Sequence, residues 1–263
     1  LIEDLDAVEK IYAGENLGFG KACNLAATKL NTDFLLFLNP DACVYGETIG
    51  QVVEFMDSSC ATQIGICGVQ LLDDDRQVAR SCARLPTPES FFYQALGIAK
   101  MRRFSLLGSR MTEWDHQDSR SVDQLIGAFF FVRRSVFENL HGFDERYFVY
   151  FEEVDFSFRA KRAGWTSFYL ATVQAFHSGG GTSDQVKAKR LFYSLRSRLL
   201  YAKKNFSFPG LLGVFLSTFV LEPITRSVFA GSKRSWVAFK ETWVGYGMLL
   251  KWLFELSVSK LRT

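Results

Sequence analysis

Two short apolar runs constrain this chain most. Phe34-Leu35-Leu36-Phe37-Leu38 is closed by Asn39-Pro40, and Ala128-Phe129-Phe130-Phe131-Val132 is bounded by Gly127 and Arg133. Each is short for a helix and carries no polar alternation. They read as strands covered on both faces, the habit of sheets with helices on either side. Ile64 to Leu72 and Trp165 to Phe176 are further strand candidates, and Val8 to Ala13 is a shorter one. Helical patterns fall between them, at about Lys21 to Leu30, Thr48 to Ser58, Phe91 to Ile98, around Val136 and Leu140, and up to Arg162, with Gly142 and Gly164 as stops. The alternation predicts an α/β domain.

With 263 residues there is room for one good-sized domain plus an appendage, or for two small domains. The net charge of +3 is close to neutral, so the position of charge matters more than its sum, and no nucleic-acid partner is expected. Five cysteines (Cys23, Cys43, Cys60, Cys67, Cys82) form no CxxC pair and suggest reduced thiols in a cytosolic setting. No signal-peptide pattern is visible. The opening LIEDLDAVEK reads as the tail of a helix, so a further N-terminal piece is expected before Leu1.

Polar groups gather at the predicted strand ends. Asn39-Pro40-Asp41 is a turn signal by itself. Its place matters, because ligands of open α/β sheets sit at the carboxyl ends of strands. A carboxylate there is a hard ligand for Mg²⁺ or Mn²⁺, with substrate phosphates completing the shell. His177 ends another predicted strand, ahead of Gly179-Gly180-Gly181, so a metal site shared with Asp41 is geometrically feasible. Glu15 to Gly20 is a turn-rich loop whose glycines permit close approach to a ligand, or a plain strand-to-helix connection. Asp73-Asp74-Asp75 reads as a solvated hairpin tip. From Gln77 to Val122 the pattern is weak, as in a lid or binding loop, where Arg80, Arg84, Arg102 and Arg103 are either phosphate contacts or solvated arginines.

The aromatic run Tyr147 to Phe151 leads straight into Glu152, Glu153 and Asp155. Acids there suit a helix start, and Asp155 is spaced to pair with Arg159. They also suit a carboxylate held at the mouth of a cleft to take a proton.

The stretch Val186 to Lys204 is helical, with seven Lys/Arg and no acid. Its basic face is either solvated or turned toward anionic lipid or a pyrophosphate. Asn205 to Leu221 is uncharged but, at seventeen residues interrupted by Pro209, short of a bilayer span of roughly 20 residues. Trp236, Phe239, Trp243, Tyr246, Leu250 and Leu253 then form a stripe that is either buried against the domain or, as expected here, lies in a membrane interface beside basic neighbours.

Together these stretches resemble the family 2 glycosyltransferases of GT-A fold, in the rhamnosyltransferase-like branch. The resemblance is carried by Asn16-x-Gly18-Phe19-Gly20-x-Ala22-x-Asn24, Leu38-Asn39-Pro40-Asp41, Gly127-Ala128, Gly142-Phe143-Asp144-Glu145 and Tyr150-Phe151-Glu152-Glu153-Val154-Asp155. Arg159, Ala163-Gly164-Trp165, His177 and the Arg196 to Lys203 helix continue it, over about residues 8 to 205.

The resemblance implies a mixed, mostly parallel sheet flanked by helices, a catalytic domain over 1–183 lacking its first strand, and C-terminal helices over 184–263. Asp41 would hold the divalent metal, Mg²⁺ or Mn²⁺, with His177 as a further contact. Asn16, Gly18, Phe19, Asn24, Asn39 and Asp41 would bind the donor. Gly127, Ala128, Asp155 and Arg84 would line the acceptor side. Glu152-Glu153 resembles the family's Glu-Asp pair, whose second acid is the general base. Here that acid is one methylene longer, which leaves open whether Glu153 or Glu152 reaches the acceptor.

The implied activity is inverting transfer of rhamnose or a hexose from dTDP-rhamnose or a UDP-hexose. The acceptor would be a saccharide or lipid-linked saccharide, at the cytoplasmic face of a membrane, in cell-surface polysaccharide synthesis. A non-catalytic saccharide- or partner-binding member of the fold is the alternative. A transferase that makes sugar nucleotides is a third reading, disfavoured because no glycine-rich, basic nucleotidyl loop is visible near the start.

Overall fold

The computed structural model describes residues 8–98, 106–178 and 187–261. Eight strands and nine helices follow in order among them. The strands are β1 (Phe34–Leu38), β2 (Ala42–Val44), β3 (Ile64–Leu72), β4 (Cys82–Ala83), β5 (Arg120–Val122), β6 (Gln124–Leu125), β7 (Phe129–Arg133) and β8 (Thr166–His177). The helices are α1 (Phe19–Ala27), α2 (Thr48–Asp57), α3 (Pro88–Ala95), α4 (Arg134–Asn139), α5 (Glu152–Arg162), α6 (Lys187–Asn205), α7 (Phe208–Leu216), α8 (Glu222–Ser232) and α9 (Trp236–Leu261).

The main sheet runs β1-β7-β3-β8-β2, with β5 also pairing β8. β4 and β6 form a separate two-stranded ribbon. The sheet is mixed, as expected, but not mostly parallel. Among the described residues only β3 and β8 pair in parallel, while β7 runs antiparallel between β1 and β3. The reason lies in the connections. A short turn carries β1 into β2, which pairs antiparallel with the end of β8, and short antiparallel strands need no crossover helix. The strand expected over Val8 to Ala13 is not formed; these residues are exposed and irregular.

The all-apolar runs are covered on both faces. β3 is buried from Ile64 to Leu71, and β7 from Phe129 to Val132. One face meets α1, α4 and α5 through Phe37, Phe130, Phe137, Phe143 and Phe156. The other meets α2 through Val52 and Met56. A third cluster joins α3, the acid segment, α6, α7 and α9 through Phe91, Val154, Leu195, Tyr201, Val214 and Leu249. It thus mixes residues from both sides of position 183.

The phenylalanines explain the rigidity under the site. Phe143 sits 5.0 Å from Phe37, 5.5 Å from Phe137 and 5.4 Å from Phe156, ring centre to ring centre. Such tilted pairs add roughly 0.5–1.5 kcal/mol each beyond the area they bury.

Candidate active site

The strand ends bring Asp41 and His177 together. Ala42 is the register partner of His177 across β2 and β8, and Ser178 N–H donates to Asp41 O at 3.0 Å. His177 Nε2 lies 3.4 Å from Asp41 Oδ1. That oxygen is buried and accepts no hydrogen bond. A buried carboxylate oxygen without a donor is costly unless something else satisfies it. An oxygen and an imidazole nitrogen facing each other at this spacing fit a divalent cation held by two protein ligands. No group of three His, Cys, Asp or Glu that could hold a metal occurs among the described residues, so the remaining positions would fall to substrate oxygens and water.

The expected solvated tip at Asp73 to Asp75 is a hairpin turn, as its spacing suggested, with Asp73 Oδ1 accepting from Asp75 N–H and Gln77 N–H. Asp74 does more. Ser178 Oγ donates to its carboxylate at 3.0 Å, immediately after His177. The link arises because β3 and β8 run in parallel and end level, Leu72 beside Phe176. No local pattern in the sequence announces a pairing across 104 residues; only the level ends of two predicted parallel strands do.

Next to Asp41, Asn39 N–H donates to Ala128 O at 3.1 Å, which sets Gly127-Ala128 against the Asn39-Pro40-Asp41 turn. Gly127 in turn lies against the Phe19 ring, within 3.9 Å of where its Cβ would stand. Gly20 then faces Glu152, with a Cβ position 3.5 Å from Glu152 Cβ. A continuous line of contacts therefore runs from Asp41 to the acids of α5.

The Asn16 to Gly20 loop is shaped by its own residues. Gly18 N–H donates to Asn16 Oδ1 at 3.0 Å, and Phe19 N–H donates to Phe148 O at 2.9 Å. Gly18 has φ +78°, and a Cβ there would sit 2.1 Å from Phe148 O, so no other residue fits. Phe19 acts as a floor rather than a free hand, its ring 6.2 Å from Phe143.

The acids occupy the first turn of α5, where carboxylates suit the positive helix end. Tyr150 and Phe151 ahead of them both have left-handed backbones, φ +67° and +72°. Two successive non-glycine residues there store strain of order 1–3 kcal/mol each, a device found where side chains must be aimed. Glu152 is buried and Glu153 half-buried, and each has an Oε2 shielded from solvent without a hydrogen-bond partner. Burial and the neighbouring Glu153 charge push the Glu152 carboxyl well above the usual range. Burial raises Glu153 too, but the N–H groups of Glu153 and Val154 favour its ionised form. Burial thus favours the protonated form of both carboxyls, and two such groups side by side are suited to share a proton. Cys23 lies beside Glu152; burial first, and that charge second, push its thiol up to about 12, so it is no nucleophile.

Three residues expected at the ligand have other partners in the structure. The Asn24 side chain is engaged by the protein itself: its Nδ2 donates to Phe143 O at 2.9 Å and to Glu145, and its Oδ1 accepts from Phe143 N–H at 2.9 Å. It clamps the turn whose Gly142 (φ +67°) leaves only 2.5 Å between a Cβ position and Asn24 Oδ1. Asp155, expected on the acceptor side, is fully buried and receives Arg159, Lys204 and the Tyr147 hydroxyl. Arg84 lies elsewhere, paired with Glu113 in a hollow of about 350 Å³ with Lys161, Trp165 and Ser167. That hollow meets the last turn of α5 and the first residues of β8, whereas the acids and His177 lie at the opposite ends of these elements. Arg102, Arg103 and the Gly179–Thr182 loop fall outside the described residues.

The C-terminal helices also differ from expectation. Pro209 does not interrupt the apolar stretch but starts α7, where its missing N–H costs nothing. A π-helical turn, Ser217–Leu221, carries α7 into α8, so one helix runs from Phe208 to Ser232. Its 25 residues are long and apolar enough to cross a membrane by length and composition, with an 18-residue stretch of mean hydropathy 1.5. The basic face of α6 is partly spoken for: Arg198 pairs with Glu222 and Lys204 with Asp144 and Asp155.

Residues 4–199 match the family model described as glycosyltransferase like family 2. The N-acetylglucosaminyl-diphospho-decaprenol L-rhamnosyltransferase of Mycobacterium tuberculosis is 28% identical over 207 residues, covering 74% of this chain and 66% of its own length. The low-salt glycan biosynthesis hexosyltransferase Agl10 of Haloferax volcanii is 24% identical, covering 77% and 62%. The rhamnosyltransferase WbbL of Escherichia coli K12 is 24% identical, covering 73% of both chains. This chain therefore spans about two thirds of the length of the relatives it matches. Among solved structures, the mannosyltransferase PcManGT of Pyrobaculum calidifontis, in complex with GDP-Man and Mn²⁺, aligns over 89% of this chain and 66% of its own, with TM-score 0.48 and 12% identity.

Proposed function

The chain belongs to glycosyltransferase-like family 2, and from that premise we propose that it transfers rhamnose or a hexose from a nucleoside-diphosphate donor to a saccharide hydroxyl, with inversion. The observation that carries this reading is the Glu152-Glu153 pair: two adjacent carboxyls at a helix start, each with an oxygen shielded from solvent and without a hydrogen-bond partner, and both raised by burial. The relatives named for rhamnosyl and hexosyl transfer support the choice of sugar.

In the proposed step Glu153 accepts the proton of the acceptor hydroxyl as its oxygen bonds to the anomeric carbon. The bond from that carbon to the diphosphate oxygen breaks, and its electron pair leaves with the nucleoside diphosphate. A single displacement of this kind inverts the centre and needs no second nucleophile. Glu152 stays protonated beside the base and so keeps its charge from competing. Asp41 and His177 would hold Mg²⁺ or Mn²⁺, which offsets the charge growing on the leaving diphosphate. Gly18, Phe19 and Asn39 shape the donor side through backbone and ring. Gly127 and Ala128 lie beside them, toward the acceptor.

The acceptor in this reading is a lipid-linked saccharide, and the C-terminal helices rest on the membrane that carries it. Phe208, Leu212, Phe215, Val220, Ile224 and Val228 are exposed at helical spacing along α7 and α8. Trp236, 75% exposed, follows the Lys233-Arg234 turn, an aromatic beside basic residues as at a bilayer interface. The buried Glu222 charge cluster within the long helix favours lying on the surface over crossing it.

The test is release of nucleoside diphosphate from dTDP-L-rhamnose and UDP-hexoses with Mn²⁺, by the unaltered protein, Glu153→Gln and Asp41→Ala. Glu153→Gln is expected to lose activity by a factor on the order of 10²–10⁴, the usual share of general base catalysis. With Glu153 intact, the rate should fall as pH drops through a value above the ordinary glutamate range, because a raised pKa leaves the base protonated sooner. Full activity of Glu153→Gln would remove the reading.

A further inference from the structure

Helix α6 reaches back to the acid segment along one side. Tyr193, Ser197, Tyr201 and Lys204 recur every three or four residues and so share a helix face. Each meets a different part of the segment from Asp144 to Asp155. The Tyr193 ring stacks on Phe148, centroids 4.9 Å apart. Ser197 Oγ donates to Val149 O at 2.9 Å. The Tyr201 ring packs 5.6 Å from Phe151. Lys204 Nζ donates to Asp144 Oδ2 at 2.7 Å and to Asp155 at 2.7 Å.

Lys204 therefore ties the first residue of the segment to the last. Between the tied ends lie Tyr150 and Phe151, whose left-handed backbones persist only where the surroundings over-determine them. Directly after them comes Glu153. Asp144 is a carboxylate in this arrangement: burial opposes its charge, but hydrogen bonds from Arg146 and Lys204 hold it well below the usual range. Arg146 pairs with Asp144 and Arg159 with Asp155, and Arg159 also donates to Leu140 O and Gly142 O just ahead of the segment, but neither arginine pairs with both carboxylates. Lys204 alone among these three cations joins both.

We infer that α6 is the positioning element of the acid segment, and that Lys204 is a positioning residue that fixes where the Glu153 carboxylate points. It lies beyond residue 199, where the family match ends. The inference rests on the reading of Glu153 as the base. Without the ammonium Asp144 loses its tie to Asp155, Arg159 alone is left to join α5 to the stretch before Asp144, and the strained pair can relax, which turns the first turn of α5. A misplacement of about 1 Å costs on the order of 100-fold in rate. Lys204 pairs with neither Asp41 nor His177, so the metal end of the donor site is left in place.

The experiment compares the unaltered protein with Lys204→Met, Lys204→Arg and Ser197→Ala. Donor hydrolysis, with water in place of the acceptor, gives kcat and KM for dTDP-L-rhamnose and UDP-hexoses. Amide hydrogen exchange over 144–155 is read on the same samples and needs no substrate. For Lys204→Met the expected result is a kcat lower by about 100-fold at a donor KM changed less than about twofold. Exchange should quicken over 144–155 and stay unchanged in β1 and β3. Lys204→Arg should recover part of the rate, and Ser197→Ala should show a smaller fall of the same kind.

Unchanged kcat or unchanged exchange in folded Lys204→Met would overturn the inference, as would a loss that falls on KM. Should Lys204→Met fail to fold, Ser197→Ala decides by the same two readouts. An unaltered protein that releases no nucleoside diphosphate would defeat the proposed function instead, and the exchange arm would still judge α6.

Discussion

Asn24→Ala separates a clamp from a donor contact. The side chain makes two hydrogen bonds of 2.9 Å to the N–H and C=O of Phe143, both part-buried, and a third to exposed Glu145. The exposed bond contributes little. The two to Phe143 are worth about 1 kcal/mol each, and their loss leaves backbone groups short of partners at a further cost, so the total is about 2–4 kcal/mol. For a chain of this size that lowers Tm by about 5–15 °C. Calorimetric unfolding reads the stability, and titration with nucleoside diphosphates and Mn²⁺ reads the site. The expected outcome is a less stable protein that, well below its Tm, binds nucleotide as before. An unchanged Tm with lost nucleotide binding would refute the clamp and return Asn24 to the donor site.

Two other changes test the electrostatics and the surface. Glu152→Gln should stabilise the protein at neutral pH: the folded pKa of Glu152 is raised above its unfolded value, so its contribution is fully present below the unfolded pKa and lost as pH rises through the folded one. Denaturation midpoints against pH check this, with the gap to the unaltered protein closing in acid; equal midpoints at pH 7 would contradict it. Binding to vesicles containing anionic lipid, followed by sedimentation and by a blue shift of tryptophan emission, should weaken in Val228→Asp and Trp236→Ala; a protein that ignores such vesicles would end the membrane reading.

Much of the fold was legible because its signals are local. The apolar runs at Phe34–Leu38 and Ile64–Leu72 became strands with those bounds, since burial on both faces leaves no polar position to blur the pattern. Strand direction was not legible, because β7 entered between β1 and β3 by pairing over long separations. The site divides in the same way. Asp41 and His177 sit at strand ends, and strand ends can be read. Asn24 and Asp155 belong to the same motifs, but their roles depend on Phe143 and Lys204, which fall 119 and 49 residues away. A motif reports that residues serve one site without saying which touch the ligand and which hold the frame.

The opposite side of α6 explains how that frame is anchored. Arg198, 3% exposed in its side chain, pairs with Glu222 of α8, 4% exposed, which also takes Arg226. Glu222 is the partner that makes burial of Arg198 tolerable, while Arg226 is partly solvated and less dependent on it. Glu222→Gln should therefore cost about 3–5 kcal/mol, the penalty for leaving a buried charge uncompensated. Replacing both partners with apolar residues, Arg198→Met with Glu222→Leu, should recover most of that loss, since well-packed apolar groups often match a buried pair in stability. Chemical denaturation of the three proteins decides it. A Glu222→Gln variant as stable as the unaltered chain would mean that water reaches Arg198, and that α8 is held to α6 by apolar packing alone. A costly Glu222→Gln with a recovered double variant would make the charge cluster a device for docking α8 on α6 in one register. The helix that bears on the acid segment would then be fixed by the same helices that carry the exposed apolar side chains.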